Sequence, residues 1–458
     1  MVQKIVMAII SVLALSSAQT SLVNFSHIEH LTERIVLNDD SVNIIRIYAD
    51  APTYNWVDAN NEGITCVDDA ARIAVAYLRH FELTNDGSSL KKAKGYLKFI
   101  LALQADDGQF YNFLYADHSV NRNGKTSFKS FGWWAARGIW SMGTGYRIFV
   151  KEDPKFAAML KNAIEKSFIH IDALLQNYGK NKEINGYVVP QWLMYGSGSD
   201  AATELVLGLT EYYKVSGDKT SASYIEKLCN GMMLMQNGDI QTYPYGVHRS
   251  WETMWHAWGN GQTQALAEAG KVLKNERMIS SARLEADGFY SRLLISGFKR
   301  EFDVADSSKK REFEQIAYDI RPITVGLIRL FEATNDRKYL TMAELAGSWF
   351  FGNNAVKTNM YDPMTGRCFD GIHSAIEVNK NSGAESTIEA LNSIIELEQY
   401  DRSKDFSKYL RLNSGETSRY LYALFAADEK RIGLVIDKVL GKLSIIPENE
   451  LEKYLKNQ

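Results

Sequence analysis

"ELTNDGSSLKKAKGYLKFILALQ" (residues 82–104), "KVSGDKTSASYIEKLCNGMMLMQ" (214–236) and "EATNDRKYLTMAELAGSWFFGNN" (332–354) share one frame. In each, an aspartate (Asp86, Asp218, Asp336) is followed 18 residues later by an amide (Gln104, Gln236, Asn354). Weaker turns of the same kind stand near Asp153 ("FVKEDPKF"), Asn275 ("VLKNERMI") and Asp401 ("LEQYDRSKDF"). The six turns lie 57 to 67 residues apart, a spacing that predicts six helical hairpins.

The two helices of a hairpin differ. After Asp86 the apolar residues Leu90, Ala93, Tyr96, Leu97, Ile100 and Leu101 form one stripe with lysines between them, the pattern of a helix with one wet face. The segments before the turns, such as "DDAARIAVAYLRHF", "DAATELVLGLTEYY" and "GAESTIEALNSIIEL", are apolar or small around most of their circumference. They belong inside. Six inner and six outer helices alternating along the chain close into an all-α (α/α)6 toroid of six helical hairpins. "GETSRYLYALFAADEKRIGLVIDKVL" is then expected to close the ring or pack beside its first outer helix.

Composition bounds the rest. "MVQKIVMAIISVLALSSA" has one lysine, an apolar run and small residues at a cleavable spacing, which reads as a signal peptide over residues 1–18. The remainder, 19–458, is expected to be one toroidal catalytic domain, secreted or periplasmic, with no membrane span. Three widely spaced cysteines give no disulfide framework, so a core must supply stability, and 45% hydrophobic residues are enough for one. The net charge of −3 offers no basic surface for nucleic acid. Aromatic residues reach 12%, with nine tryptophans.

In a toroid all inner helices run the same way, so their N-termini gather at one end, where long linkers also converge. The residues that open the inner helices are unusual. They are "CVDD" (Asp68, Asp69), "SFGWWAAR" (Trp133, Trp134, Arg137), "GSGSDAATE" (Asp200, Glu204), "SWETMWHAWGNGQ" (Trp251, Glu252, Trp255, His256, Trp258, Gln262), "QIAYDIRP" (Tyr318, Asp319, Arg321) and "NKNSGAES" (Asn379, Asn381, Glu385). Outer-helix exits add Asp107 of "QADDGQFYNF". Carboxylates ringed by tryptophan and tyrosine suit sugars, whose apolar faces lie on aromatic rings and whose hydroxyls seek Asp, Asn, Gln and Arg. Glycoside cleavage needs one protonated and one ionised carboxyl.

Simpler roles compete. Asp68 and Asp69 could cap their helix. Trp133, Trp134 and Trp140 at helical spacing could be core, as could Trp251, Trp255 and Trp258, which recur at i, i+4, i+7 as one face of a helix. A lone His256 could be structural. Asp362 and Asp370 of "YDPMTGRCFDG" do not match a calcium-loop spacing, so no metal and no cofactor is expected.

"WFFGNN", "NMYDPMTGRCFDGI" and "VNKNSGAEST", with "ITCVDDAAR" and "WHAWGNGQTQAL", resemble bacterial proteins of the six-hairpin glycosidase-like superfamily over nearly the whole mature chain. The resemblance implies an (α/α)6 toroid acting on saccharides, commonly by inversion, on a fold that also hosts lyases, epimerases and phosphorylases. From position and chemistry, the leading reading is a glycoside hydrolase of poly- or oligosaccharides. Its candidate catalytic acids are Asp69, Asp319 and Glu385, then Asp68 and Glu252. Trp133, Trp134, Trp251, Trp255, His256, Gln262, Tyr318, Arg321, Asp107 and Asn381 would bind the sugar. Trp251 and Trp255 are preferred to Trp258 as cleft residues. A lyase would instead draw on His256, Tyr318 and Arg321. An epimerase, or a non-catalytic glycan binder that keeps the aromatics, completes the alternatives.

Overall fold

The computed structural model describes residues 21–456 except 402. The signal-peptide reading of residues 1–18 lies outside the described residues.

Eleven helices build a ring. They are α1 (Val67–Thr84), α2 (Gly87–Leu103), α3 (Trp133–Glu152), α4 (Pro154–Lys166), α5 (Ser199–Ser216), α6 (Lys219–Leu234), α7 (Gln262–Leu273), α8 (Glu276–Glu285), α9 (Ala317–Thr334), α10 (Arg337–Gly347) and α11 (Ala384–Glu398). The odd-numbered six are the inner helices. Each packs on the next and α11 packs back on α1, so the inner ring closes. Even-numbered helices form the outer layer. Small residues let the inner helices approach closely: a Cβ on Gly143 of α3 would stand 2.1 Å from the Gly208 carbonyl oxygen of α5.

The repeated aspartate caps the outer helix. Asp86, Asp153, Asp218 and Asp336 each accept a hydrogen bond from a backbone N–H of the following first turn, and Asn275 does the same. The residue just before the cap closes the inner helix in the left-handed region at Asn85, Gly217, Lys274 and Asn335. The repeated amide ties one outer helix to the next. Gln104 Nε2 donates to the Ala163 carbonyl of α4 (2.8 Å), and Gln236 Nε2 to the Ser281 carbonyl of α8 (2.8 Å).

The sixth hairpin departs from expectation. After α11, Asp401 accepts the Phe406 N–H, but only a short turn, Asp405–Lys408, follows. The chain then enters a four-stranded antiparallel sheet, Leu410–Glu416, Tyr420–Ala427, Lys430–Asp437 and Lys442–Pro447. The "GETSRYLYALFAADEKRIGLVIDKVL" stretch is therefore a hairpin of this sheet, turning at Asp428 (φ 51°), and does not close the ring. Asn354 matches the break: its amide donates within its own loop, to the Trp349 and Thr358 carbonyls, and among the described residues no sixth outer helix follows for it to reach. The N-terminal segment packs between α11 and α1 in its place. Leu22 N–H bonds Glu398, Phe25 stacks on Tyr77 at 4.4 Å, and the short helix Ser26–Leu31 lies on α11.

Strands are otherwise confined to the linkers, so the fold is a helical toroid decorated with short hairpins rather than all-α. The linkers entering the inner helices carry most of them, including Glu301–Asp303 with Asp306–Arg311, and Gly371–Ser374 with Glu377–Asn379. Among the described residues no helix is long and apolar enough to cross a membrane.

Candidate active site

At the gathered N-termini of the inner helices lies a cleft of about 480 Å³. Its floor comes from Asp68, Asp69 and Arg72 of α1, Arg137 of α3, Tyr318 of α9, and Glu385 and Ser386 of α11. Linkers raise its walls with Tyr48, Phe113, Trp258, Arg300, Glu314 and Asp370.

Neither aspartate of the pair caps α1. The cap position is Cys66, with no side-chain cap bond, and both carboxylates turn to other partners. Asp68 accepts from Arg137 Nη1 and from Asn112 Nδ2 (2.9 Å). Asp69 accepts from Arg72 Nη1 (2.8 Å) and from the Cys66 thiol (3.4 Å). Successive helical positions diverge by about 100°, which suggests that only one of the two can face the cleft. Both nevertheless line it.

Arg72 is the hub. Its other nitrogens reach Glu385 (2.9 Å) and the buried Glu389 (3.0 Å), and its guanidinium lies 4.5 Å from the Tyr318 ring centre. Arg137 joins Asp68 to the Tyr318 hydroxyl (2.8 Å), which donates to Glu204 (3.2 Å). Burial pushes the Asp69 carboxyl up to about 6, against the pull of Arg72 and with help from the Glu385 charge. The same burial pushes the Tyr318 phenol up to about 12, although Arg137 and Arg72 pull it down.

Asp319 does not line the cleft. It is completely buried, its carboxylate accepting the Ile316 N–H (2.9 Å) at the start of α9, with Arg300 Nη1 3.4 Å away. Burial raises it to about 8, more than Arg300 and the Ile316 bond lower it. The capping role considered for Asp68 and Asp69 thus belongs to Asp319. Glu385 does line the cleft, half exposed.

Glu252 sits in an adjoining cavity of about 310 Å³, paired with Lys182 (3.0 Å), together with Trp133, Tyr195, Trp251 and Trp258. Trp258 lines both cavities, with Trp133 and Trp251 each 6.0 Å from it between ring centres. The preference for Trp255 over Trp258 is reversed. The stretch from Trp251 to Trp258 is not helical but a tight turn and the strand Met254–His256, so the i, i+4, i+7 spacing shares no face. Trp255 is enclosed by Phe289 and Phe302. Trp134 is core as well, donating to the Phe110 carbonyl.

The remaining candidates surround the cleft without lining it. His256 is buried, bonded to Asp200 (2.8 Å) and stacked under Trp258 at 3.6 Å, so it braces that ring. Gln262 is buried on Ser199 and Arg321 on Glu389. Asn381 accepts from the Ala51 N–H, and Asp107 lies apart with Lys129. Asp362 caps its own hairpin turn at Met364 and Thr365, while Asp370 accepts from Ser386 and the Gly383 N–H at the cleft wall.

Sequence reading missed Arg72, Arg300, Glu314 and Tyr48 as site residues. Only Arg72 left a local signal, one turn after Asp69; the others arrive from linkers that helical periodicity does not place.

The architecture defines a class: the chain has the fold of the six-hairpin glycosidase-like proteins. A sugar epimerase from a ruminal bacterium is 14% identical, with 78% of this chain and 92% of that chain covered and a TM-score of 0.55. The cellobiose 2-epimerase of Bacillus thermoamylovorans B4167 is 12% identical over 77% of this chain and 92% of its own, with a TM-score of 0.55. An α-1,6-mannanase of Salegentibacter sp. HEL1_6 in complex with α-1,6-mannotriose is 12% identical over 78% and 94%, with a TM-score of 0.50. At these identities the likeness is one of fold. No family model matches the chain, and no curated protein matches it in sequence.

Proposed function

We propose that the protein is an exported carbohydrate-active enzyme that hydrolyses glycosidic bonds, with Asp69 as the general acid and Asp68 as the second catalytic carboxylate. The observation that carries this reading is the pair itself. Two consecutive carboxylates line an open cleft, each held by its own arginine, and Asp69 is raised to about 6, so that it can deliver a proton near neutral pH. The mannanase with the similar fold offers a parallel: it was captured with mannotriose as an inactive variant in which two consecutive aspartates are replaced. Glu385 shares Arg72 with Asp69, and its charge helps keep the proton on Asp69. Export rests on the leader-like residues 1–18.

The competing lyase chemistry finds less support. A lyase base must lose its proton easily, but the Tyr318 phenol is raised, His256 is stacked and buried, and Arg321 is spent on Glu389.

The test is a panel of α- and β-linked neutral and acidic oligosaccharides, followed by reducing-end release and by absorbance of unsaturated uronates. Reducing ends without that absorbance are expected, and Asp69→Asn should lower the rate by about 10²- to 10⁴-fold. Full activity in Asp69→Asn, or unsaturated products, would refute the proposal.

A further inference from the structure

A groove of about 380 Å³ that shares no lining residue with the cleft lies where the ring meets the C-terminal sheet. On one side are the loop at Tyr243–Tyr245, the helical turn at Phe289 and Arg292, and the hairpin bearing Phe302 and Lys310. On the other are Glu416, Leu421 and Lys438 of the sheet region. The two sides are fastened together. Gln241 Nε2 donates to the carbonyls of Lys438 (3.1 Å) and Val439 (2.8 Å), so the groove is a fixed feature of the fold.

Two properties set it apart. It is aromatic, with Phe289 and Phe302 at the base and Tyr243, 48% exposed, standing at its edge. It is also cationic in a chain whose net charge is −3: Arg292, Lys299, Lys310 and Lys438 face a single carboxylate, Glu416. Glu416 neutralises Lys438 (2.7 Å). Arg292 donates to the Gly288 and Ile240 carbonyls and stacks on Tyr245 at 3.6 Å, so it is locked in place with no close ion pair among the described residues, the Glu416 charge acting on it from further off. The hairpin's other cations are paired, Lys309 with Asp303 and Asp306 and Arg311 with Glu301, whereas Lys310 and Lys299 have no carboxylate partner among the described residues. Lys299 faces this groove and the next residue, Arg300, lines the cleft, so one thickness of chain separates the two sites.

We propose that this groove is an accessory binding site for an acidic saccharide, the sugar ring lying on Tyr243 and its anionic group, a uronate carboxylate or a sulfate ester, meeting Lys299 and Lys310. An aromatic face offers the apolar side of a ring a partner, and unpaired ammonium groups beside it favour an anionic substituent over a neutral hydroxyl. The cleft differs in kind: its arginines are each engaged by carboxylates, and it carries the acids Asp68, Asp69, Glu314, Asp370 and Glu385. The groove's lining holds one carboxylate, Glu416, where glycoside cleavage needs two carboxyls, so it binds without cleaving.

The experiment is isothermal titration of the full chain at low salt with a tetragalacturonate, a sulfated disaccharide, a neutral tetrasaccharide and a short polyglutamate peptide. The tetragalacturonate or the sulfated sugar should bind, the stronger of the two identifying the anionic group, and the neutral sugar should not bind at this site. Lys299→Glu with Lys310→Glu, and separately Tyr243→Ala, should each weaken binding at least tenfold while the melting temperature holds. Asp69→Asn should leave this binding unchanged even if the hydrolase reading fails, which separates the two sites. Absence of binding by both acidic sugars would overturn the proposal. So would binding that survives both variants, or polyglutamate binding as tightly as the sugars. If the double charge reversal melts early, Tyr243→Ala alone decides.

Discussion

Replacing Asp69 with asparagine should stabilise the protein at alkaline pH, and the sign of that change separates a functional acid from a structural one. The folded-state carboxyl is raised from 3.8 to about 6, chiefly by burial. A raised carboxyl holds its proton more tightly in the folded state, so stability falls as pH climbs from about 4 to 6 and then levels off. About two pH units at 1.36 kcal/mol each gives about 3 kcal/mol lost by pH 8. Asparagine carries no charge to desolvate, and Arg72 keeps Glu385 and Glu389 as partners in the variant. Asp69→Asn is therefore expected to be up to about 3 kcal/mol more stable than the parent at pH 8, with the gap closing toward pH 4. Urea unfolding followed by tryptophan fluorescence at pH 4, 6 and 8 measures it. A helix cap would lose about 1 kcal/mol or less on this change, and a structural buried ion pair broken by removing one partner would lose about 3–5 kcal/mol. A variant less stable than the parent at pH 8 would refute the reasoning.

Asp319, raised to about 8 by burial, makes a larger pH contribution of the same sign, so Asp319→Asn should lose about 4 kcal/mol less stability than the parent between pH 5 and 8, read from urea midpoints. Trp255→Ala removes a ring enclosed by Phe289 and Phe302 and should cost about 3–5 kcal/mol, whereas Trp258→Ala should raise KM on oligosaccharides with a smaller loss of melting temperature. Glu385→Gln removes a repulsion that raises Asp69, so the alkaline limb of the pH–rate profile, expected near pH 6 because Asp69 must be protonated, should move to lower pH.

The ring was legible because its signals are local. A cap residue and the apolar stripe behind it depend on residues a few positions apart, and the five outer helices begin on such a cap, four on an aspartate and one on Asn275. The sixth failed for the same reason. Asp401 still accepts a nearby N–H, yet the residues beyond it pair as strands, whose partners are set across the sheet rather than along a helix. In "YLYALFAADEKRIGLVID" the helix-favouring Ala-Ala-Asp-Glu-Lys surrounds a two-residue turn, and the cue was the β-branched and aromatic content on either side. The cleft divides along the same line. Asp68, Asp69 and Glu385 open inner helices and could be placed, while Tyr48, Arg300, Glu314 and Asp370 belong to linkers whose course depends on the closed ring.

The exchange of roles between Asp69 and Asp319 has a sequence cause. Both stand at the third residue of an inner helix, since α1 begins at Val67 and α9 at Ala317. A carboxylate there can reach back to the N–H of the cap residue or forward along its own face to the side chain at i+3. In α1 the i+3 residue is Arg72, which takes Asp69 at 2.8 Å and ties it to the cleft. In α9 it is Pro322, which offers no donor, so Asp319 folds back onto the Ile316 N–H and leaves the cleft. The one residue at i+3, Arg72 in "DAAR" and Pro322 in "DIRP", thus decides which of two equivalently placed acids lines the cleft. Position in the fold sets what a carboxylate can reach, and its neighbour one turn later sets what it does.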